Sequence, residues 1–196
     1  MNYIAYTATP YANILNERPG ESLYPKDFIC TLPESTEYFG AKVIFGNDEK
    51  DCPGLGITRP ISSAEEKELK KLHKGLQTSL PAGMKDAIAW FLCTSAIQRL
   101  NHKMKKKSIS MLIHTTSIQK QHFNVYDAVK LWLANSSEVI NVCKCVYSRE
   151  KDSVTKADLQ AANPDYGYLD TIEETYLEFA TILPEIYSLV NDIRSI

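Results

Sequence analysis

Ser108-Ile109-Ser110-Met111-Leu112-Ile113-His114-Thr115 is the stretch on which the fold class turns. It carries no acidic or basic side chain apart from its histidine. It stands between one helical pattern that ends near Leu100 and another that begins near Gln119. An apolar run of this length between helices reads as a buried strand. On that reading the chain is α/β with helices dominant, and SISMLIHT is the one clear strand inside a helical body.

The flanks support the helical part. Upstream, Ser62 or Ser63 caps a helix whose Glu65 and Glu66 suit its positive end, with Leu69, Leu72 and Leu76 as one apolar stripe. Pro81 and Gly83 interrupt, and a second helix is expected from about Lys85 to Leu100 with Ile88, Phe91, Leu92, Ala96 and Leu100 inward. Downstream, Gln119 to Ala134 is expected to bury Val125, Ala128, Val129, Trp132 and Leu133. Ser136 or Ser137 then caps a helix through Val146. Leu169, Ile172, Tyr176, Phe179 and Leu183 fall in helical phase, and Pro184 is expected to end that helix or start the next.

The N-terminal third differs in texture. Tyr3-Ile4-Ala5-Tyr6-Thr7 is a strand signal stopped by Pro10. Prolines at 19, 25, 33, 53 and 60 and glycines at 20, 40, 46, 54 and 56 then break any long element, with short extended pieces expected at Phe28–Cys30 and Lys42–Phe45. The expected organisation is an N-terminal segment, 1–60, followed by a mainly helical body, 61–196.

Composition bounds the class. With 196 residues, 44% hydrophobic and 23% charged, the chain can enclose a core and is neither disordered nor fibrous. No apolar run reaches the roughly 20 residues of a membrane-spanning helix, so no membrane partner is expected. Five scattered cysteines and an N-terminus without a signal-peptide pattern point to a reduced, cytoplasmic protein. Charge is uneven: from Ala157 onward eight acidic residues face one Arg194, leaving 21 basic and 16 acidic residues before them. A basic body permits contact with a polyanion.

Complete catalytic patterns are missing: there is no P-loop triplet, no G-x-S-x-G and no H-E-x-x-H. Cys143 and Cys145, one residue apart on a helix, point to different faces and suit core thiols better than zinc. His73 and His102 stand among charges and are expected to be solvated, and His122 opens a helix. His114 is the candidate, since it closes the SISMLIHT run at a position where α/β folds place ligands. The plainer alternative is a histidine hydrogen-bonded in the turn. Arg99, Lys103, Lys105, Lys106 and Lys107 form a basic cluster suited to phosphate, although such runs are usually solvated loops. Glu34, Asp48 and Lys50 make a loose metal-nuclease pattern. Chance spacing accounts for it as well, so no metal site is assigned.

The most specific stretch is YTATPYAN, Tyr6–Asn13. Its Thr7-Ala8-Thr9 resembles the third motif of superfamily-two helicases, whose hydroxyls couple an ATP site to lobe movement. LYPKDFI (Leu23–Ile29), Tyr38-Phe39-Gly40, Phe45-Gly46, DAIAWFLCTSAIQRL (Asp86–Leu100) and SMLIHTT (Ser110–Thr116) follow in order. Together they resemble the Z1 domain, a bacterial family to which endonuclease activity is ascribed and which is found beside helicase lobes in restriction-like and DNA-repair-like proteins. The resemblance implies an internal piece of a larger motor, with SMLIHTT as the first strand of a second RecA-like lobe and His114 at the lobe interface. It implies DNA and the other helicase lobes as partners. No cofactor is expected in this chain, since Mg²⁺ and ATP belong to the full-length protein, and this chain is not expected to hydrolyse ATP alone. The alternative is a non-catalytic module that docks helicase lobes or another partner.

Overall fold

In the computed structural model, residues 30–33, 35–46, 54–100, 108–171 and 177–194 are described. The chain divides into two compact units, Met1–Tyr38 and Phe39–Ile196. In the first, the described residues form a turn in which the Tyr38 N–H donates to the Ser35 carbonyl at 3.0 Å and the Glu37 N–H to Ser35 Oγ at 3.2 Å.

The second unit is all-α among the described residues. Its helices are α1 Ala41–Phe45, α2 Ser63–His73, α3 Ala82–Leu100, α4 Gln119–Ala134, α5 Ser136–Glu150, α6 Lys156–Ala162 and α7 Phe179–Arg194, with a 3₁₀ turn at Leu169–Thr171. This corrects the α/β expectation: no described residue lies in a strand. Ser108–Thr116 has no regular secondary structure and makes no backbone–backbone hydrogen bond with any described residue. Leu112 is 86% exposed and Met111 37%, while Ile113 packs partly on the core. A β-favouring sequence becomes a strand only where another extended backbone pairs with it. Here the neighbours are helices, whose backbone groups are already satisfied internally, so the stretch lies across the body as connector.

A second correction concerns Lys42–Phe45, which forms the turn of helix α1 rather than an extended piece. Gly40 and Gly46 bracket it, and the Gly46 N–H donates to Lys42 C=O at 2.9 Å. Gly54, at φ +69°, closes against this turn, where an added Cβ would stand 2.4 Å from the Gly46 nitrogen. Only glycine allows that approach. The expected strand at Tyr3–Thr7 lies outside the described residues, as does the Phe28–Cys30 piece except for Cys30, which has no regular secondary structure.

α3 is the central helix, packing chiefly on α5 and α7, while α2 packs on α4. Ile88, Ala89, Leu92, Cys93 and Ala96 of α3 meet Val139, Cys143 and Val146 of α5 and Ile182, Ile186 and Val190 of α7 in one continuous core. Burying each large aliphatic side chain contributes about 1.5–3 kcal/mol. Small residues set the α3–α5 crossing: Cys143 Sγ lies 3.8 Å from Ala89 O, and Cys93 Sγ 3.6 Å from Cys143 O. Tyr147 links three elements. Its ring stands 6.5 Å from Trp90 and 5.9 Å from Phe179, and its hydroxyl donates to the Leu177 carbonyl.

Helix ends follow local chemistry. Ser62 and Glu65 form a capping box on α2, and Glu65 Oε1 also accepts the Gly83 N–H at 2.7 Å, so one carboxylate serves the first turns of two helices. α2 ends in a Schellman motif, with Gly75 at φ 70°, its N–H on Leu72 O and the Leu76 N–H on Lys71 O. The chain leaves the helix there, so Leu76 is 73% exposed instead of completing the apolar stripe. α5 is capped by Asn135, whose Oδ1 accepts the Glu138 N–H, and runs past Val146 to Glu150. The expected Leu169–Leu183 helix is replaced by the 3₁₀ turn and by α7, which contains Pro184. Pro184 is exposed and sits in the second turn, where water can satisfy the carbonyl that its missing N–H leaves free.

Candidate functional site

The densest group of chemically capable side chains gathers where α2 ends, the 108–118 stretch passes and α4 begins. His73 is the last residue of α2, and its Nε2 is 2.9 Å from Thr115 Oγ1. Its carbonyl accepts a hydrogen bond from Asn124 Nδ2 of α4 at 2.8 Å. His122, in the first turns of α4, stacks obliquely with His114, the ring centroids being 5.4 Å apart. Three elements thus place three imidazoles together. Thr116 organises the entry to α4: its hydroxyl donates to Gln121 Oε1 at 2.7 Å and accepts the Ile118 N–H at 3.2 Å. Ile118, the residue at the cap position, has no side chain able to do this.

Electrostatically the site disfavours a positive charge on His73. Partial burial, followed by the positive charge that His122 acquires, holds His73 below the usual histidine range. The first turn of α4 carries no acid. The three imidazoles do not form a metal centre: no group of three His, Cys, Asp or Glu among the described residues could hold a metal ion.

A second polar group lies at the start of α3. Arg149 Nε binds Glu150 Oε1 at 2.8 Å, an Arg149 NH group binds Asp86 Oδ2 at 3.0 Å, and Arg59 reaches Glu150 Oε2 at 2.6 Å. Nearby in sequence, Lys85 pairs with Glu138 at 2.6 Å. The hydrogen bonds from Arg59 and then Arg149 hold the Glu150 carboxyl below its usual range, and the one from Lys85 does the same for Glu138. These pairs join α3 to α5 and to the 54–62 approach.

Of the residues singled out from sequence, His114 and Arg99 are described. His114 is exposed and stands beside His122. Arg99 pairs with Asp192 of α7 at 2.8 Å, so this guanidinium is already engaged by a carboxylate. Thr7, Ala8, Thr9, Glu34, Asp48, Lys50, Lys103, Lys105, Lys106 and Lys107 lie outside the described residues. Cys143 is buried and Cys145 exposed, as their spacing on one helix requires. The hydrogen bond with Cys93 and burial push the Cys143 thiol far up, which suits a core thiol and not a nucleophile.

Neither the placement of His73 nor the pairing of His114 with His122 is written in a sequence motif. His73 reads as solvated because lysines surround it in sequence, yet it sits next to Leu72, the most buried position of α2. That adjacency was the available signal.

The Z1 domain family model matches residues 83–196, more than half of the chain. The chain belongs to the Z1 domain family. The matched region runs from the first turn of α3 through α7 and contains His114 and His122, while His73 and α2 precede it. No curated protein and no solved structure matches the chain. No described helix is long and apolar enough to cross a membrane.

Proposed function

We propose that this chain is the helical module of a DNA-processing protein of the helicase-linked endonuclease type, and that it contacts the DNA backbone instead of cutting it. Membership of the Z1 family supports the setting. The observation that carries the reading is the basic run Lys103, Lys105, Lys106 and Lys107, tethered between the end of α3 at Leu100 and the stretch bearing His114, Thr115 and Thr116. Lysine ammonium groups and hydroxyls at the start of a helix are chemistry that phosphate recognises. Several carboxylates that could hold a catalytic metal are committed elsewhere. Glu65 and Asp158 cap helices, and Asp86, Glu138, Glu150 and Asp192 take part in ion pairs. Any Mg²⁺ or ATP chemistry belongs, on this reading, to other parts of the full-length protein, including its helicase lobes.

Anisotropy of a labelled DNA duplex, measured across a salt series, tests this. The wild-type chain is expected to bind with a steep salt dependence. Replacing the four lysines by alanine is expected to reduce the slope of log K against log salt by about 0.9 for each lost phosphate contact. Binding with an unchanged slope would remove the lysines from the interface, and absence of binding would end the DNA reading for this chain. Nicking of supercoiled plasmid with Mg²⁺ or Mn²⁺, abolished by Lys50→Ala, would instead make the chain a nuclease.

A docking module is the second reading, and one observation favours it. α4 exposes Phe123, Tyr126 and Leu131 at 60, 53 and 59%, and Leu112 and Ile118 of the stretch that leads into it are exposed too. Apolar side chains so grouped mark contact surfaces. Light scattering separates the readings, since self-association relieved by Phe123→Glu supports docking and a clean monomer at high concentration counts against it.

A further inference from the structure

We infer that the exposed side of α2 is a second contact for the nucleic-acid backbone, where Lys67, Lys70, Lys71 and Lys74 meet phosphates together with Lys120 of α4. Resting on the DNA reading above, this contact lies on a helix that precedes the region matched by the family model. Leu72 is the buried residue of α2, at 1% exposure. A 3.6-residue period turns positions 67, 70, 71 and 74, related as i, i+3, i+4 and i+7, to the opposite side. All four lysines are exposed. They cover two helical turns, about 10 Å of axis, which matches the rise of about three nucleotides along one strand.

The fold leaves most of these charges unspent. Lysines in the last turn of a helix ordinarily serve its free carbonyls. Here the Lys71 carbonyl accepts the Lys74 and Leu76 N–H groups, the Leu72 carbonyl accepts the Gly75 N–H, and the His73 carbonyl accepts Asn124 Nδ2. Among the acids of α2, Glu65 serves two helix caps and Glu66 pairs with Lys70. Lys67, Lys71 and Lys74 form no ion pair with a described residue. A merely solvated helix face interleaves both signs. On this one four cations share a side, and an acid answers only one of them.

The neighbouring elements extend the positive surface. Asn124 on the His73 carbonyl and Thr115 Oγ1 on the His73 ring bring the start of α4 and the 108–118 stretch to the end of α2. Lys120 stands one turn before Asn124, is exposed, and has no acid beside it in the first turn of α4. Thr115 follows Lys107 by eight residues, so the basic run at 103–107 is tethered to this same junction. Regularly spaced ammonium groups without aromatic partners recognise backbone phosphate and not bases.

Anisotropy of a labelled DNA duplex across a salt series tests the full chain against two variants of equal charge. Lys71→Gln/Lys74→Gln removes half of the stripe, and Lys144→Gln/Lys151→Gln removes two exposed lysines of α5 and its C-cap. Glutamine has a helix propensity close to that of lysine, and thermal melting checks that each variant folds. At 0.9 for each phosphate contact, the α2 pair is expected to reduce the slope of log K against log salt by about 1.8 and to weaken binding at least tenfold at about 0.1 M salt. The α5 pair is expected to leave the slope within about 0.3 of wild type. A wild-type slope in the α2 pair overturns the second contact, and if the 103–107 variant still loses binding, the DNA reading itself survives. Equal weakening by both pairs reduces the effect to net charge and also overturns it. A wild-type chain that binds no duplex removes both readings. Binding of labelled polyglutamate in place of the duplex, through the same two lysines, would assign the surface to an acidic protein and overturn the phosphate contact.

Discussion

Leu92→Ala and Leu112→Ala, measured side by side, decide whether the core is where the helices place it. Leu92 is 0% exposed, on the central helix α3 between α5 and α7. Its truncation loses the transfer energy of the removed carbons and leaves a cavity, for a cost of about 3–4 kcal/mol. For a chain of this size that lowers the melting temperature by roughly 6–15 °C. Leu112 is 86% exposed, so only 14% of its surface is shielded. Scaling the about 2–3 kcal/mol of a fully buried leucine by that fraction gives less than about 0.5 kcal/mol. Urea unfolding followed by circular dichroism reports both, and matched m-values would show that the denatured state is unchanged. A buried SISMLIHT strand predicts the opposite ranking. If Leu112→Ala costs more than about 1.5 kcal/mol, or Leu92→Ala less than 1.5, the assignment of the core to the α3–α5–α7 packing is wrong.

Two further outcomes follow from single polar groups. Ser95 Oγ is buried on α3 with no hydrogen-bond partner among the described residues, so Ser95→Ala should raise stability by about 1 kcal/mol in the same unfolding assay. A loss of that size would mean the hydroxyl has a partner. Glu150 is held below its usual value of 4.5 chiefly by Arg59 and then Arg149. Its contribution should be complete above pH 4.5 and lost as pH falls through the lower folded value, so Arg59→Ala should flatten the acid limb of stability against pH. An unchanged limb would show that the Arg59 pair is not maintained in solution.

The helices were legible because their signals are local. The Gln119–Ala134 bounds and the inward set Val125, Ala128, Trp132 and Leu133 follow from a 3.6-residue period, and the Ser62/Glu65 capping box is written in four consecutive residues. Misreadings arose where local preference met a non-local requirement. SISMLIHT has β-favouring side chains, but strand formation needs a partner backbone, which periodicity cannot supply. Lys42–Phe45 also contains β-favouring Val43, Ile44 and Phe45, yet it lies in a short helix bracketed by Gly40 and Gly46. The candidate site was the least legible part. His73 and Thr115 are 42 residues apart, and His73 and Asn124 51, so no motif spacing connects them.

The two polar groups of the body differ in kind, and the difference bears on function. Around the start of α3 every named carboxylate meets a cation, so the charges there are spent on fixing α5 and the 54–62 approach to the central helix. A metal ion competing for Asp86 or Glu150 would have to displace charge-assisted hydrogen bonds of 2.6–3.0 Å. Around the end of α2 the balance is reversed: imidazoles and hydroxyls face one another, and lysines lie nearby in sequence. A positive charge on His73 is opposed there by partial burial, and an anion would relieve it. A phosphate arriving at Thr115 and Thr116 would therefore favour the protonated His73 imidazole that partial burial resists. DNA binding at this end should accordingly tighten as pH falls from 7.5 towards 6, and His73→Gln should blunt that change. Affinity independent of pH over this range would separate the histidine cluster from the phosphate contacts and leave the lysines as the basic groups serving them.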